Sequence, residues 1–130
     1  MSEPIGYFNG EWNSNRKFLI PLMERGIKFG NGIFETIFVL RGQPQLLKEH
    51  INRWHNGAEI LRLNIPPSES YVQTLINEAI KKISLFDQNG YVRLNWCRKD
   101  LPPSGINIMS ENKDNSNYYF WIEVNHSEPY

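Results

Sequence analysis

The sequence predicts an α+β domain in which an antiparallel-rich sheet is covered by two helices. Strand-like and helix-like stretches follow one another in the order β β β β α α β β, so strands and helices are segregated along the chain. The pair Asn9-Gly10 favours a tight hairpin, the connection that joins antiparallel strands. The chain has 130 residues, which is the length of one domain, and we expect residues 1–130 to form a single unit.

The clearest strand pattern covers Ile33–Leu40. One face carries Phe34, Thr36, Phe38 and Leu40, and the other carries Ile33, Glu35, Ile37 and Val39. Because both faces are largely apolar, we expect a central strand that is covered on each side. Glu35 is an acid on an otherwise aliphatic face, and either a local hydrogen bond or a role in a functional site would explain it. After a turn at residues 41–44, Gln45–Leu47 is predicted to return as a short strand.

A first amphipathic helix is predicted over about Lys48–Leu61, because apolar residues recur there at intervals of three and four. The buried stripe of this helix consists of Leu47, Ile51, Trp54, Ala58 and Leu61. A second row beside the stripe is formed by His50, Arg53 and Gly57, and it lies along the boundary between core and water. The missing side chain at Gly57 would let another group approach this row closely.

A second helix and two further strands complete the pattern. The helix, Glu69–Ser84, follows the capping residue Ser68, and we expect it to contribute to packing only. In the next strand, Tyr91–Cys97, one face carries Tyr91, Arg93, Asn95 and Cys97. We expect that polar face to contact either water or a ligand pocket. A long loop, Arg98–Asn117, has a length typical of active-site borders or disordered segments, and Tyr118–Val124 forms the last strand.

Composition excludes several classes of function. Lys plus Arg and Asp plus Glu both number 14, so the net charge is zero, and we expect no nucleic-acid partner. The N-terminus has no signal-peptide pattern and no apolar run is long enough to span a membrane, so we expect a cytoplasmic protein. His50 and His55 lie too far apart around a helix axis to share a metal, and the sequence around the single cysteine, Cys97, shows no spacing known for nucleophilic catalysis.

One ordered set of motifs runs from residue 25 to residue 61. It consists of Arg25-Gly26, Phe29-Gly30-Asn31-Gly32, Phe34-Glu35-Thr36, Gly42, and His50-x-x-Arg53 with Ala58 and Leu61 behind it. This set resembles the N-terminal domain of the class IV aminotransferases, which are fold-type IV pyridoxal-phosphate enzymes. The family includes branched-chain and D-amino-acid aminotransferases and aminodeoxychorismate lyase. The likeness covers nearly the whole chain, from the hairpin at Tyr7 to the strand at Tyr118.

The resemblance implies a pyridoxal 5'-phosphate cofactor, a small amino-acid-like substrate and a homodimer. In the family, the Arg of the His-x-x-Arg helix binds the cofactor phosphate, and the matching residue here is Arg53. A guanidinium suits this role because it can donate to two oxygens of a phosphate dianion. The residues that would face the substrate are Phe29, Phe34, Thr36, Tyr91 and Arg93. The chain departs from the family where Asn31 replaces an Asp and where Lys99 replaces a Gly.

The family's cofactor is bound as a Schiff base by a lysine of a second domain, and no lysine of residues 1–130 has the matching context. We therefore expect no catalytic residue in this chain, and neither activity nor retained cofactor from the chain alone. By the same resemblance, Thr36 favours aminodeoxychorismate lyase, which eliminates pyruvate to form 4-aminobenzoate and is the reaction that we prefer. Tyr91 and Arg93 favour a branched-chain aminotransferase, and a D-amino-acid aminotransferase is a further alternative. An alternative of another class is a truncated, non-catalytic binding or dimerisation domain.

Overall fold

The structure is a computed structural model, and it describes residues 4–14, 32–99 and 115–127. Its strands are β1 (Ile5–Phe8), β2 (Glu11–Ser14), β3 (Gly32–Leu40), β4 (Gln43–Pro44), β5 (Gly90–Arg98) and β6 (Tyr118–His126). Its helices are α1 (Leu47–Ile60) and α2 (Glu69–Lys82), and a short 3₁₀ helix, Asn115–Asn117, precedes β6. None of these helices is long and apolar enough to cross a membrane.

The six strands form one sheet in the order β2-β1-β6-β5-β3-β4, and every neighbouring pair is antiparallel. The predicted order of strands and helices and the α+β class are therefore confirmed. At the predicted hairpin, Asn9 and Gly10 have φ angles of 52° and 80°, as a two-residue turn of this type requires. Gly32 is needed where β3 and β5 begin to pair, because a Cβ at this position would lie 2.6 Å from the Cβ of Cys97.

The hydrophobic core lies between the two helices and one face of the sheet. Helix α1 contributes the stripe that was predicted from its spacing, and Trp54 is its largest buried side chain. From α2, buried residues at helical spacing include Val72, Ile76 and Ala79, and the Ser68 Oγ accepts a hydrogen bond from the Tyr71 N–H at the start of the helix. The sheet supplies alternate residues of its central strands to the same core, such as Ile37 from β3.

The expectation that β3 is covered on each side is wrong for the described structure. Glu35, Ile37 and Val39 face the helices and are buried, whereas the alternate side chains of the strand are exposed. On this open face Phe34 is 56% exposed and Phe38 40% exposed. Both helices pack against the opposite face, and apolar residues at alternate positions do not reveal whether one or both faces of a strand are covered.

The predicted burial of Leu61 is also wrong, because the chain turns sharply after α1. Arg62 has a φ of 57°, and the Leu63 N–H donates to the Ala58 carbonyl at 2.8 Å. This is the hydrogen bond of a Schellman turn, which brings the second residue after the helix back toward its last turn. Leu63 therefore packs against the core, and Leu61 is 50% exposed.

The predicted return strand is misplaced by two residues. The turn at Arg41 and Gly42, with φ angles of 48° and 78°, brings the chain back at once, so β4 occupies Gln43–Pro44. Leu47 then begins α1 instead of ending a strand. Helix α2 ends at Lys82, two residues before its predicted end, and β6 extends two residues beyond its predicted end at Val124. Most of the predicted loop between β5 and β6 lies outside the described residues.

Candidate functional site

A buried carboxylate connects β3 to α1. Glu35 projects from the helix-facing side of β3, and its side chain is 9% exposed. Its Oε1 accepts hydrogen bonds from Arg53 Nη2 at 2.8 Å and Arg53 Nε at 3.1 Å, and its Oε2 accepts one from Arg53 Nε at 2.9 Å. His50 Nδ1 lies 2.7 Å from Oε1 and acts as the donor, since an ionised carboxylate can only accept.

The spacing of the helix explains why both donors reach one acid. His50 and Arg53 are three residues apart on α1, so their side chains project from neighbouring positions on one helix face. The alternation of β3 turns Glu35 toward that face, and its strand position is fixed by pairing with Leu94 of β5. The sequence left open whether Glu35 makes a local hydrogen bond or belongs to a site. The structure shows the hydrogen bonds, and they include the arginine that was predicted as the phosphate ligand.

Glu35 is ionised at neutral pH. Burial raises the pKa of its carboxyl group, but the hydrogen bonds and positive charge of Arg53 and His50 outweigh this effect and hold the pKa below its ordinary value of 4.5. The same hydrogen bonds raise the pKa of Arg53. The arginine side chain is nevertheless 71% exposed, so its guanidinium is fixed along one edge and accessible elsewhere.

A cavity of about 300 Å³ lies beside this guanidinium. It is lined by Gly32, Ile33, Phe34, Glu35, Arg53, Trp54 and Gly57. The cavity opens at the edge of β3, which in the described residues pairs with β4 only at Val39 and Leu40. Two residues of the predicted row, Arg53 and Gly57, border this space. Among the described residues, a Cβ at Gly57 would contact only Ile33 Cγ2, at 3.7 Å, so the absence of a side chain there leaves room next to Arg53.

The predicted substrate-facing residues lie mainly on the open face of the sheet. Thr36 of β3 is directly opposite Arg93 of β5, and Tyr91 is two pairs further along, opposite Phe38 on the same face. The guanidinium carbon of Arg93 lies 4.0 Å from the centroid of the Phe34 ring, a cation–π contact between the two strands. Four of the five predicted residues are thus neighbours, and Phe29 lies outside the described residues.

Phe34 connects the open face to the cavity beside Arg53. Its ring is exposed on the same face as Arg93, yet it also lines the cavity at the edge of β3. The residues Thr36, Tyr91 and Arg93 do not line that cavity. The structure therefore brings together two adjoining surfaces, an arginine-bearing cavity at the strand edge and a polar and aromatic patch on the open face.

A second polar network on the open face was not predicted. Glu123 of β6 accepts hydrogen bonds through Oε2 from Asn95 Nδ2 and Trp121 Nε1, both at 3.1 Å. Glu123 lies opposite Arg93 in the strand register. The signal for this network was present in the sequence, since Glu123 and Asn95 are polar residues on the same side of two alternating strands. In the described part of the chain, no three His, Cys, Asp or Glu side chains are placed to hold a metal ion.

Comparison with known proteins assigns the chain to a family. The family model described as amino-transferase class IV matches residues 32–130, and the chain belongs to this family. A putative branched-chain-amino-acid aminotransferase of Methanocaldococcus jannaschii is 30% identical over 88 residues, which are 68% of this chain and 30% of that protein. An aminodeoxychorismate lyase of Bacillus subtilis is 28% identical over 89 residues, again 68% of this chain and 30% of the relative.

Solved structures confirm the fold. The branched-chain amino acid aminotransferase of Escherichia coli superposes with a TM-score of 0.76 and 21% identity, over 99% of this chain and 41% of that one. An aminotransferase from Brucella abortus bound to the co-factor PLP gives a TM-score of 0.77 and 19% identity, over 98% of this chain and 43% of that one. The chain thus matches about 30% of the length of the first curated relatives and about two fifths of the solved structures.

The hydrogen bonds of Glu35 predict how the stability of the fold depends on pH. Because the pKa of Glu35 is lower in the folded than in the unfolded state, the folded state binds fewer protons. The resulting stabilisation is present above about pH 4.5 and is lost as the pH falls through the folded pKa. We expect Glu35→Gln to be less stable than the wild type at pH 6, with the difference shrinking toward pH 3.

Urea unfolding followed by circular dichroism at several pH values measures this difference. Glu59→Gln is the control, because Glu59 is an exposed acid on α1, the helix that carries His50 and Arg53. A stability difference between wild type and Glu35→Gln that stays constant from pH 6 to pH 3 would contradict the prediction.

Proposed function

We propose that this chain forms one wall of a pyridoxal 5'-phosphate site in which Arg53 binds the phosphate of the cofactor. The observation that carries this proposal is a guanidinium held along one edge beside a cavity, in a chain that belongs to the class IV aminotransferases. Two solved structures with the same fold are described as bound to PLP, which supports the choice of cofactor.

The donor set fits a phosphate group. Glu35 occupies the edge of Arg53 that is formed by Nε and Nη2, and among the described residues nothing accepts a hydrogen bond from Nη1. A phosphate dianion would accept from such a free edge, and charge-assisted hydrogen bonds of this kind are short and strong. Gly57 removes the side chain that would otherwise occupy the adjacent turn of α1. When bound, the cofactor supplies the electron-withdrawing ring on which the family's chemistry depends.

The open face would contact the substrate. Arg93 is a cation that suits a substrate carboxylate, and Phe34 packs against its guanidinium and limits the positions it can adopt. Thr36 presents a hydroxyl beside Arg93, which can hold a substrate group or move a proton at the cofactor carbon. An amino-acid-like substrate would therefore lie between the open face and the cofactor, whose phosphate is held at the strand edge.

We infer a 4-amino-4-deoxychorismate lyase as the reaction of the complete protein, with a branched-chain or D-amino-acid aminotransferase as the second candidate. Thr36 supports the lyase, because a hydroxyl at the cofactor is useful for eliminating pyruvate. Tyr91 and Arg93 support the aminotransferase, and relatives with each of these names match the chain at 25–30% identity. The two activities differ in whether a 2-oxo acid acceptor is needed, so they are separable by assay.

The open face also supports assembly of a larger protein. Phe34, Phe38 and Tyr91 are large side chains exposed on the open face of the sheet. Contiguous apolar surface of this kind is typical of an interface. We propose that residues 1–130 act as one domain of a cytoplasmic homodimer, and that a further part of the protein covers this face. The alternative, a non-catalytic binding or dimerisation domain, would use the same surface without the chemistry.

The role of Arg53 is tested by Arg53→Ala in the full-length gene product. We expect the dissociation constant of pyridoxal phosphate to rise about tenfold to a hundredfold, the range for losing charge-assisted hydrogen bonds. Lys48→Ala is the matched control, because it removes an exposed positive charge from the same helix. Unchanged cofactor retention on dialysis of Arg53→Ala would reject this role.

The cavity beside Arg53 is tested by Gly57→Ala. Alanine is favoured over glycine inside a helix by about 0.5–1 kcal/mol, and the new Cβ makes only an ordinary contact with Ile33. We therefore expect the fold to become more stable while cofactor affinity falls, since the methyl group narrows the phosphate site. Calorimetric unfolding and cofactor titration measure the two effects. Equal or tighter cofactor binding would show that the phosphate does not lie here.

The reaction is tested by giving the full-length gene product aminodeoxychorismate without any 2-oxo acid. Release of pyruvate and 4-aminobenzoate is the expected result, because a lyase needs no amino-group acceptor. An aminotransferase would turn over only when an amino acid and a 2-oxo acid are both supplied, and that outcome would overturn the lyase.

The chain of residues 1–130 alone is expected to be inactive. Its lysines are Lys17, Lys28, Lys48, Lys81, Lys82, Lys99 and Lys113. None of them lies in the sequence context of the family's cofactor-binding lysine. Incubation with pyridoxal phosphate followed by borohydride reduction and peptide mass spectrometry should show no adduct confined to one lysine. A single modified lysine, together with turnover, would mean that this chain carries its own catalytic centre.

A further inference from the structure

We propose that Glu35 is a positioning residue for Arg53, which fixes the direction in which the guanidinium offers its free edge to the phosphate. This inference rests on the proposed function, in which Arg53 is the phosphate ligand. It assigns a role to the one buried acid of the strand that borders the cavity, a residue for which packing alone gives no reason.

The guanidinium of Arg53 is constrained although the side chain is largely exposed. Three hydrogen-bonding contacts from Nε and Nη2 to the two Glu35 oxygens, between 2.8 and 3.1 Å, define the plane of the guanidinium as well as its distance. A free arginine samples many rotamers in water and must be ordered when it binds an anion. With one edge already held, the Nη1 edge faces a fixed direction before the phosphate arrives.

Glu35 is itself anchored more firmly than a surface acid. It lies in the middle of β3, where its backbone is opposite Leu94 in the register with β5, and its side chain is buried. His50 adds a further hydrogen bond to Oε1 from one turn earlier on α1. The carboxylate is therefore held from the strand side and from the helix side. Because its position is fixed by the sheet, it can fix the orientation of the Arg53 side chain on the helix surface.

The negative charge of Glu35 has an opposing effect on a phosphate, since like charges repel. In this arrangement the guanidinium is paired with the carboxylate on one edge and would meet the phosphate on another, so a positive group stands between the two anions. Positioning and repulsion predict opposite changes when the charge of Glu35 is removed. A third possibility is that Glu35 only joins β3 to α1, in which case its loss changes stability and not phosphate recognition.

The experiment compares the binding of pyridoxal phosphate and of pyridoxal, which lacks the phosphate, by the full-length gene product. The dissociation constant of pyridoxal divided by that of pyridoxal phosphate measures the contribution of the phosphate to binding. We expect Glu35→Gln to reduce this ratio about tenfold, as for loss of an oriented charge-assisted contact, and to leave pyridoxal binding within about twofold. Glu59→Gln, on the exposed side of α1, should leave the dissociation constants of both ligands unchanged.

A second variant, Glu35→Asp, separates geometry from charge. It keeps the carboxylate but shortens the side chain, so the contacts with Arg53 cannot be made with the same geometry. Positioning requires that this variant also lose phosphate recognition, whereas charge repulsion alone leaves it equal to the wild type. Combining Glu35→Gln with Arg53→Ala should reduce the ratio no further than Arg53→Ala alone, because the two residues act as one unit.

Failure of the inference and failure of the proposed function give different results. If Arg53→Ala leaves the ratio of the wild type unchanged, Arg53 does not bind the phosphate and both proposals fall. If Arg53→Ala lowers this ratio but Glu35→Gln or Glu35→Asp leaves it unchanged or raises it, only the positioning role is overturned. Equal loss of pyridoxal and pyridoxal phosphate binding, with a lowered unfolding midpoint, would make Glu35 a structural residue and would also overturn it.

Discussion

The hydrogen-bonded group of Glu35, His50 and Arg53 determines how the rest of the site is arranged. It joins the middle of β3 to the face of α1, and the cavity beside it is lined by Gly57, which follows one turn later. An acid in this position would be costly if it were alone, since burial disfavours its charged form. Its donors come from a helix that also buries Trp54 against the sheet, so the same packing that forms the core brings the cation to the acid.

One-sided packing of the sheet divides β3 between two tasks. Residues at odd positions along this strand face the helices and give the core its aliphatic side chains and the carboxylate that binds Arg53. Residues at even positions face outward, and two of them, Phe34 and Thr36, lie beside Arg93 of β5. A single strand thus borders the cavity beside Arg53 at its edge and the polar and aromatic patch on its face. The alternation of side chains, the simplest property of a strand, is what places these two surfaces next to each other.

The sequence was sufficient for features that depend on local periodicity and insufficient for those that depend on distant partners. Helical spacing placed His50, Arg53 and Gly57 in one row, and the structure confirms that row. The same spacing wrongly extended the buried stripe to Leu61, because the turn at Arg62 returns Leu63 to the core instead. Alternation identified both faces of β3 but not which one is open, and it marked Glu35 as unusual without naming its partners, since 15 and 18 residues separate it from the two donors.

Relatives with different names match this chain over similar lengths. A branched-chain aminotransferase and an aminodeoxychorismate lyase are 30% and 28% identical to nearly the same length of chain, so overall identity does not separate the two reactions. A site for a phosphate serves either reaction equally, since it binds a part of the cofactor that does not react. Discrimination must come from groups near the reacting carbon, which under the proposed function are the side chains of the open face. If the open face contacts the substrate as proposed, Thr36 and Arg93, which lie opposite each other there, are the residues at which the two chemistries would diverge.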